Sequence, residues 1–152
     1  MLKINRKTDY AVRVVLALAK RPAGARLSTD AIQQEMLIPR SFVSRIVAEL
    51  ARLGIIETIP GPNGGLQLAR GAAEINMLEV MEGIDGPIIL SDCQCGEDIC
   101  PLGLGCPVRT RIGGLQAMMR KELEKTTFQD LVEDAKRLPV QGVATEGQFL
   151  GV

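Results

Sequence analysis

The chain has 152 residues, 46% of them apolar, and 18 Lys/Arg balanced by 18 Asp/Glu. That length and apolar share suit one domain with appendages and a buried core. Aromatic residues make up only 3%, which argues against a stacking platform for single-stranded nucleic acid, and no apolar run approaches the ~20 residues of a membrane span. The net charge of zero conceals a split. Residues 1–70 carry 11 Lys/Arg and 5 Asp/Glu, a net +6, and residues 71–152 carry 7 and 13, a net −6. The front half therefore suits a polyanion, although the two halves attracting each other would also account for the split. Nothing at the N-terminus resembles a signal peptide, so a reducing, cytoplasmic setting is expected.

Thr8 is an expected N-cap, followed by Asp9 at the positive end of a helix. Ala11, Val14, Val15 and Leu18 recur at helical spacing, predicting an amphipathic helix from Asp9 to about Lys20, ended by Pro22 and Gly24. Ser28 caps a second helix with Ile32 and Met36 on its buried side. After the turn Leu37-Ile38-Pro39, Pro39 suits the first position of a third helix. Phe42, Val43, Ile46, Val47, Leu50 and Leu53 form its apolar stripe, and Gly54 stops it.

Two short helices joined by a tight turn, the second basic, form a helix-turn-helix pattern. Its second helix would enter the major groove with Arg40, Ser41, Ser44 and Arg45 nearest the bases and Arg52 on the same face. Arginine donates twice to guanine, whereas serines and helix N-termini, Ser28 included, suit phosphates. Strands at Ile55–Ile59 and Gly65–Ala69 flank Pro60-Gly-Pro-Asn-Gly-Gly65, which is turn chemistry. A hairpin directly after a recognition-type helix is a wing, with Asn63 and Gly64 at its tip. Asn76 and Glu79 then have capping-box spacing for a short helix Met77–Glu82, broken by Gly83 and Gly86-Pro87.

All four cysteines, Cys93, Cys95, Cys100 and Cys106, lie in one Gly- and Pro-rich loop. Three readings compete for it. A disulfide is unnecessary in a chain with this core and unfavoured in a reducing compartment. Structural zinc prefers knuckles with two to four residues between paired cysteines, and this loop lacks a clean pair of them. An iron–sulfur cluster accepts looser spacing and soft thiolate ligands, and is the favoured reading. Beyond the loop, Pro107 sits at a first helical position. Val108, Ile112, Leu115, Met119 and Leu123 make a near-heptad stripe on a helix from Val108 to Lys125, which suggests pairing with a second copy. Gly113-Gly114 permits close approach of a neighbour. Thr127 and Asp130 cap a last helix through Leu131 and Ala135, and from Pro139 the composition predicts a disordered tail.

The expected fold class is thus mostly α with a small β wing: a winged helix-turn-helix domain over 1–82, a cysteine-rich loop over 83–107, a dimerisation helix and short terminal helix over 108–137, and a tail over 138–152. A catalytic role is not expected, since the chain has no histidine and no phosphate loop or nucleophile constellation.

The order of these parts resembles the bacterial winged-helix regulators that include IscR, NsrR and RirA. The similarity rests on Thr8-Asp-Tyr-Ala-Val-Arg13, Ile38-Pro-Arg-Ser-Phe-Val43, Leu50-Ala-Arg-Leu-Gly-Ile-Ile56 and Gly61-Pro-Asn-Gly-Gly-Leu-Gln-Leu-Ala69, together with the cysteine loop and Thr126-Thr-Phe-Gln-Asp-Leu131. It covers roughly Met1 to Glu133. The resemblance implies a homodimeric regulator of double-stranded operator DNA, with no membrane partner, whose affinity an iron–sulfur cluster controls in response to redox state, nitric oxide or iron supply. It implies three cysteine ligands; three thiolates plus one available carboxylate favour 4Fe-4S over 2Fe-2S. A histidine three residues after the last cysteine, as in the IscR pattern, is replaced by Arg109, which has no lone pair to offer. In NsrR-like members an aspartate early in the first helix of the partner subunit is the fourth ligand, and Asp9 stands at that place. The doublet Cys93/Cys95 leaves open which of the two is the first cysteine ligand, or whether both bind. Pro60 stands where many relatives carry an arginine before the wing glycines. A zinc-stabilised DNA-binding or adaptor protein and an iron–sulfur electron carrier are the alternatives.

Overall fold

The computed structural model describes residues 3–95 and 105–138. The expected tail from Pro139 and the cysteine-loop segment 96–104, with Cys100, lie outside the described residues. Helix α1 (Arg6–Ala19) begins earlier than its sequence suggests. Asn5, not Thr8, is the N-cap, and its side-chain oxygen accepts the Thr8 N–H at 2.9 Å. Thr8 is instead buried, and its hydroxyl donates to Asp85. A buried hydroxyl needs a partner, and the Asp85 carboxylate, eighty residues along the chain from Asn5, provides one.

Helix α2 (Thr29–Met36) is capped by Ser28, whose side chain accepts the Ala31 N–H at 3.1 Å. It ends at Leu37, which takes the left-handed conformation at φ +53°. Helix α3 (Arg40–Arg52) follows, with Pro39 just before its first residue rather than within it. Val43, Ile46 and Leu50 of α3 pack into a core with Ala11, Val14, Val15 and Leu18 of α1 and Ile32 of α2. Strands β1 (Ile56–Ile59) and β2 (Gly65–Leu68) pair antiparallel with Ile56 opposite Leu68 and Ile59 opposite Gly65. Leu27 adds an isolated antiparallel bridge to β2: its N–H and carbonyl exchange hydrogen bonds with Leu66 at 3.0 and 2.8 Å. The wing is therefore sewn to the loop between α1 and α2.

A 3-10 turn at Ala72–Glu74 leads to helix α4 (Met77–Asp85). Asn76 caps α4, but Glu79 does not complete the expected box, because its carboxylate pairs with Arg70. Gly83 lies inside α4 rather than breaking it. The physical reason is packing: a Cβ there would come within 2.6 Å of Leu53 Cδ1, so glycine lets the end of α3 press onto α4. After a 3-10 turn at Asp92–Gln94, helix α5 (Pro107–Lys125) carries no buried residue. The expected stripe divides: Ile112, Met119 and Leu123 are half-buried, while Val108 and Leu115 are 61% and 58% exposed, as is Met118 beside them at 70%.

Helix α6 (Phe128–Arg137) opens with a capping box between Thr127 and Asp130. The Asp130 carboxyl is held below its ordinary value by hydrogen bonds from the Thr127 hydroxyl and N–H. The Phe128 N–H reaches the Ile75 carbonyl at 2.9 Å, and the Met77 N–H reaches the Thr126 carbonyl at 2.9 Å. These bonds seat α6 beside α1, where Phe128 is fully buried in the core. Among the described residues no helix is long and apolar enough to cross a membrane.

Candidate DNA-binding face and cysteine site

Helix α3 buries one stripe and leaves the opposite face in solvent. Arg40, Ser41, Ser44, Arg45 and Arg52 are all exposed along it. None of the three arginines has an acidic partner within salt-bridge distance among the described residues, whereas Lys7, Arg13, Arg21 and Arg70 of the same domain pair with Glu49, Asp9, Glu35 and Glu79. Ser28 is exposed at the start of α2, its hydroxyl engaged as the cap. At the wing tip Asn63 is exposed and Gly64 half-buried. Gly64 has a packing reason of its own: a Cβ there would stand 2.1 Å from the Ile59 carbonyl oxygen. The sequence reading missed Arg26, whose Nη1 donates to the Asn63 carbonyl at 2.8 Å. The signal was the non-local pairing of Leu27 with Leu66, which no local pattern announces.

Asp9 stands on the first turn of α1 in a 2.7 Å ion pair with Arg13, one turn on. The Arg13 guanidinium also donates to the Met36 carbonyl at 3.4 Å and lies 5.6 Å from the Tyr10 ring centroid. Tyr10 in turn meets Phe42 of α3 edge-on, with centroids 5.2 Å apart. A chain of contacts thus runs from the Asp9 carboxylate to the last residue of α2 and to the start of α3.

Cys93 and Cys95 are carried by the 3-10 turn Asp92–Gln94 and the residue after it, and Cys106 is the N-cap residue of α5. Gln94 brings the two elements together. Its Nε2 donates to the Arg109 carbonyl at 2.9 Å, and its Oε1 lies 3.1 Å from where a Cβ on Gly113 would stand. The close neighbour that Gly113 admits is therefore Gln94 of the same chain. Cys93 is half-buried, with its Sγ 3.1 Å from the Ser91 hydroxyl and 3.9 Å from Gln94 Nε2. Cys95 is exposed, and Cys93, Cys95 and Cys106 are free thiols. Among the described residues no three metal-ligating side chains converge on one point, Cys100 being outside them. Arg109 Nη1 is buried without a hydrogen-bond partner among the described residues. An unpaired cationic nitrogen one helical turn from Cys106 suits an anionic occupant such as a thiolate-ligated cluster, so the residues present fit that group.

Residues 4–134 match the family profile described as "Rrf2: Iron-dependent Transcriptional regulator". Among curated proteins the chain is similar to an HTH-type transcriptional regulator NsrR of Shouchella clausii (strain KSM-K16), at 32% identity over 95% of this chain and 99% of the relative. Among solved structures it is similar to CymR, the global cysteine regulator of B. subtilis, at 25% identity and TM-score 0.75, covering 88% of this chain and 98% of that one. It shares its fold with T. potens IscR, at TM-score 0.73 and 19% identity over 93% and 94% of the two chains. A helical body with a two-stranded wing, a bare cationic face on α3 and a profile match along nearly its whole length make this chain a member of the Rrf2 family of transcriptional regulators.

Proposed function

We propose that the protein binds double-stranded operator DNA as a homodimer, and that an iron–sulfur cluster held by Cys93, Cys100 and Cys106, with Asp9 of a second copy, sets its operator affinity. The observation that carries the DNA reading is the unpaired cationic face of α3: Arg40, Arg45 and Arg52, all on one exposed helix face, lack carboxylate partners among the described residues, whereas Lys7, Arg13, Arg21 and Arg70 of the same domain have one. An exposed arginine left unpaired is free to replace counterions on DNA phosphates or to donate twice to guanine.

Dimerisation is supported by α5. An amphipathic helix normally buries its apolar stripe, yet Leu115, Met118 and Val108 stay in solvent in the single chain. An apolar groove of about 390 Å³, lined by residues including Met81, Ile89 and the α5 residues Met119 and Leu123, also stands open. A second copy would cover both. Two recognition helices in such a dimer would need to lie one duplex turn apart, ~34 Å, to read a palindrome.

The cluster reading is supported by the free thiols and by the buried Arg109 nitrogen, which has no hydrogen-bond partner among the described residues. Of the doublet, Cys93 has the features of a ligand: partial burial and hydrogen-bond donors beside its sulfur, which orient and tune metal-bound groups. When bound, the cluster supplies a crosslink sensitive to redox state, nitric oxide or iron supply. The chain's own residues do the rest. Gln94 holds the cysteine-bearing turn on α5, so a change in the loop is felt by the helix proposed to pair with its twin. Asp9, drawn away from Arg13, would alter the hold of Arg13 on Met36 and thereby the seating of α3.

The test is anaerobic purification with iron and sulfide analysis, followed by anisotropy titration of promoter duplexes. The expected result is a coloured protein with iron and sulfide whose Arg45→Ala variant keeps its iron but loses affinity by about 1–3 kcal/mol, as for an arginine reading a base. A colourless protein with stoichiometric zinc would contradict the cluster, and an Arg45→Ala variant with unchanged affinity would contradict the placement of α3.

A further inference from the structure

We infer that Arg26, in the loop between α1 and α2, is the DNA-contacting cation of the wing; this rests on the operator-binding reading above. The wing tip itself, Pro60-Gly-Pro-Asn-Gly-Gly65, holds no charged residue. A hairpin tip without a cation has little to offer a polyanion, because phosphate contacts supply most of the salt-dependent affinity.

The fold brings in a cation from elsewhere. The two hydrogen bonds between Leu27 and Leu66 dock the α1–α2 loop on β2. This places Arg26 beside the tip, where its Nη1 donates to the Asn63 carbonyl at 2.8 Å. Gly65 is what permits the approach. It has φ +144°, and a Cβ there would stand 2.9 Å from the Leu27 carbonyl oxygen and 3.4 Å from Arg26 Cβ. A side chain at position 65 would push the Arg26 loop off the wing.

One hydrogen bond to Asn63 uses one of the five donors of a guanidinium. The residue is exposed and has no acidic partner within salt-bridge distance among the described residues. The carboxylate on β1, Glu57, is engaged by Gln67 two rungs up the ladder from the Ile59–Gly65 pair at the tip. Arg26 is thus anchored through one nitrogen and left with charge and donors to spare, as a phosphate clamp requires. Arg26 closes the wing against the body and presents its remaining donors to the DNA backbone.

A purely structural role, holding Asn63 in place, is separable from a DNA contact. Arg26→Gln keeps an N–H donor for the Asn63 carbonyl and removes the charge; Arg26→Lys keeps the charge and loses the fork. The probe is a duplex selected by the wild-type protein from a random pool, titrated at several salt concentrations. Arg26→Gln is expected to bind several-fold more weakly and to flatten the slope of log affinity against log salt by about 0.9, the contribution of one phosphate. Arg26→Lys is expected to keep the wild-type slope. An Arg26→Gln variant with wild-type affinity and slope would overturn the inference, as would equal losses in both variants with the slope unchanged. Failure of the wild-type protein to select any duplex would remove the operator reading itself, and the inference with it.

Discussion

Asp9 and Arg13, one turn apart on α1, form a 2.7 Å ion pair whose arginine also reaches the Met36 carbonyl at 3.4 Å. Both side chains are nearly half exposed, and a helical pair of this kind contributes only ~0.3–0.5 kcal/mol to stability. Its weight therefore lies in what it ties together. If Asp9 also serves as a ligand in the second copy's site, Arg13 and the metal centre compete for one carboxylate. Arg13→Ala is expected to unfold within about 1 kcal/mol of wild type, to retain iron longer against a chelator, and to bind operator more weakly. Faster iron loss from Arg13→Ala would contradict that competition.

Cys93 and Cys95 differ in surroundings although only one residue separates them. Ser91 and Gln94 flank the Cys93 sulfur, and Cys95 is exposed. Cys93→Ala is expected to lose its iron, and Cys95→Ala to keep it. In the iron-loaded protein, alkylation followed by peptide mass analysis is expected to modify Cys95 and spare Cys93. The reverse pattern would move the ligand to Cys95 while leaving the cluster itself in place.

Phe128 ties the last helix to the first. It is fully buried among α1 and its neighbours, and its N–H is fixed to Ile75. Phe128→Ala is expected to cost about 3–5 kcal/mol, the lost transfer energy plus the cavity left behind. Denaturant unfolding would measure it. A cost under about 1 kcal/mol would mean that α6 is not part of the cooperative unit.

The cap of α6 gives a pH-dependent signature. Hydrogen bonds from the Thr127 hydroxyl and N–H lower the Asp130 carboxyl below its ordinary value of 3.8. A depressed carboxylate stabilises the fold above that ordinary value, and the contribution is lost as pH falls through the lowered one. Thr127→Val removes the hydroxyl, so the Asp130 titration followed by NMR is expected to move back up towards 3.8. An unmoved titration would contradict the assigned cause.

Much of this was legible in the chain. The apolar spacing of α1, α3 and α5, the caps Ser28 and Thr127, the Gly54 stop and the wing turn all act locally, within a turn or a hairpin. What escaped depends on partners far along the chain. Asn5 and Thr8 are both capping residues, and the burial of Thr8 against Asp85 decides between them. Gly83 reads as a break until Leu53 is set against it, and Glu79 reads as a capping partner until Arg70 takes it. Gly113 announced a close neighbour without naming Gln94. In the candidate site, the basic face of α3 followed from helical period alone, whereas Arg26 sits in an aperiodic loop and reaches the wing only through Leu27.

The coupling between the cysteine site and the DNA face is tested most directly by one pair of titrations: anaerobic iron-loaded protein and its iron-free form on the same selected duplex at one salt concentration. The account predicts different affinities, by about 1–3 kcal/mol or 5- to 150-fold, the usual range for coupled sites. Equal affinity of the two forms on every duplex tried would contradict it.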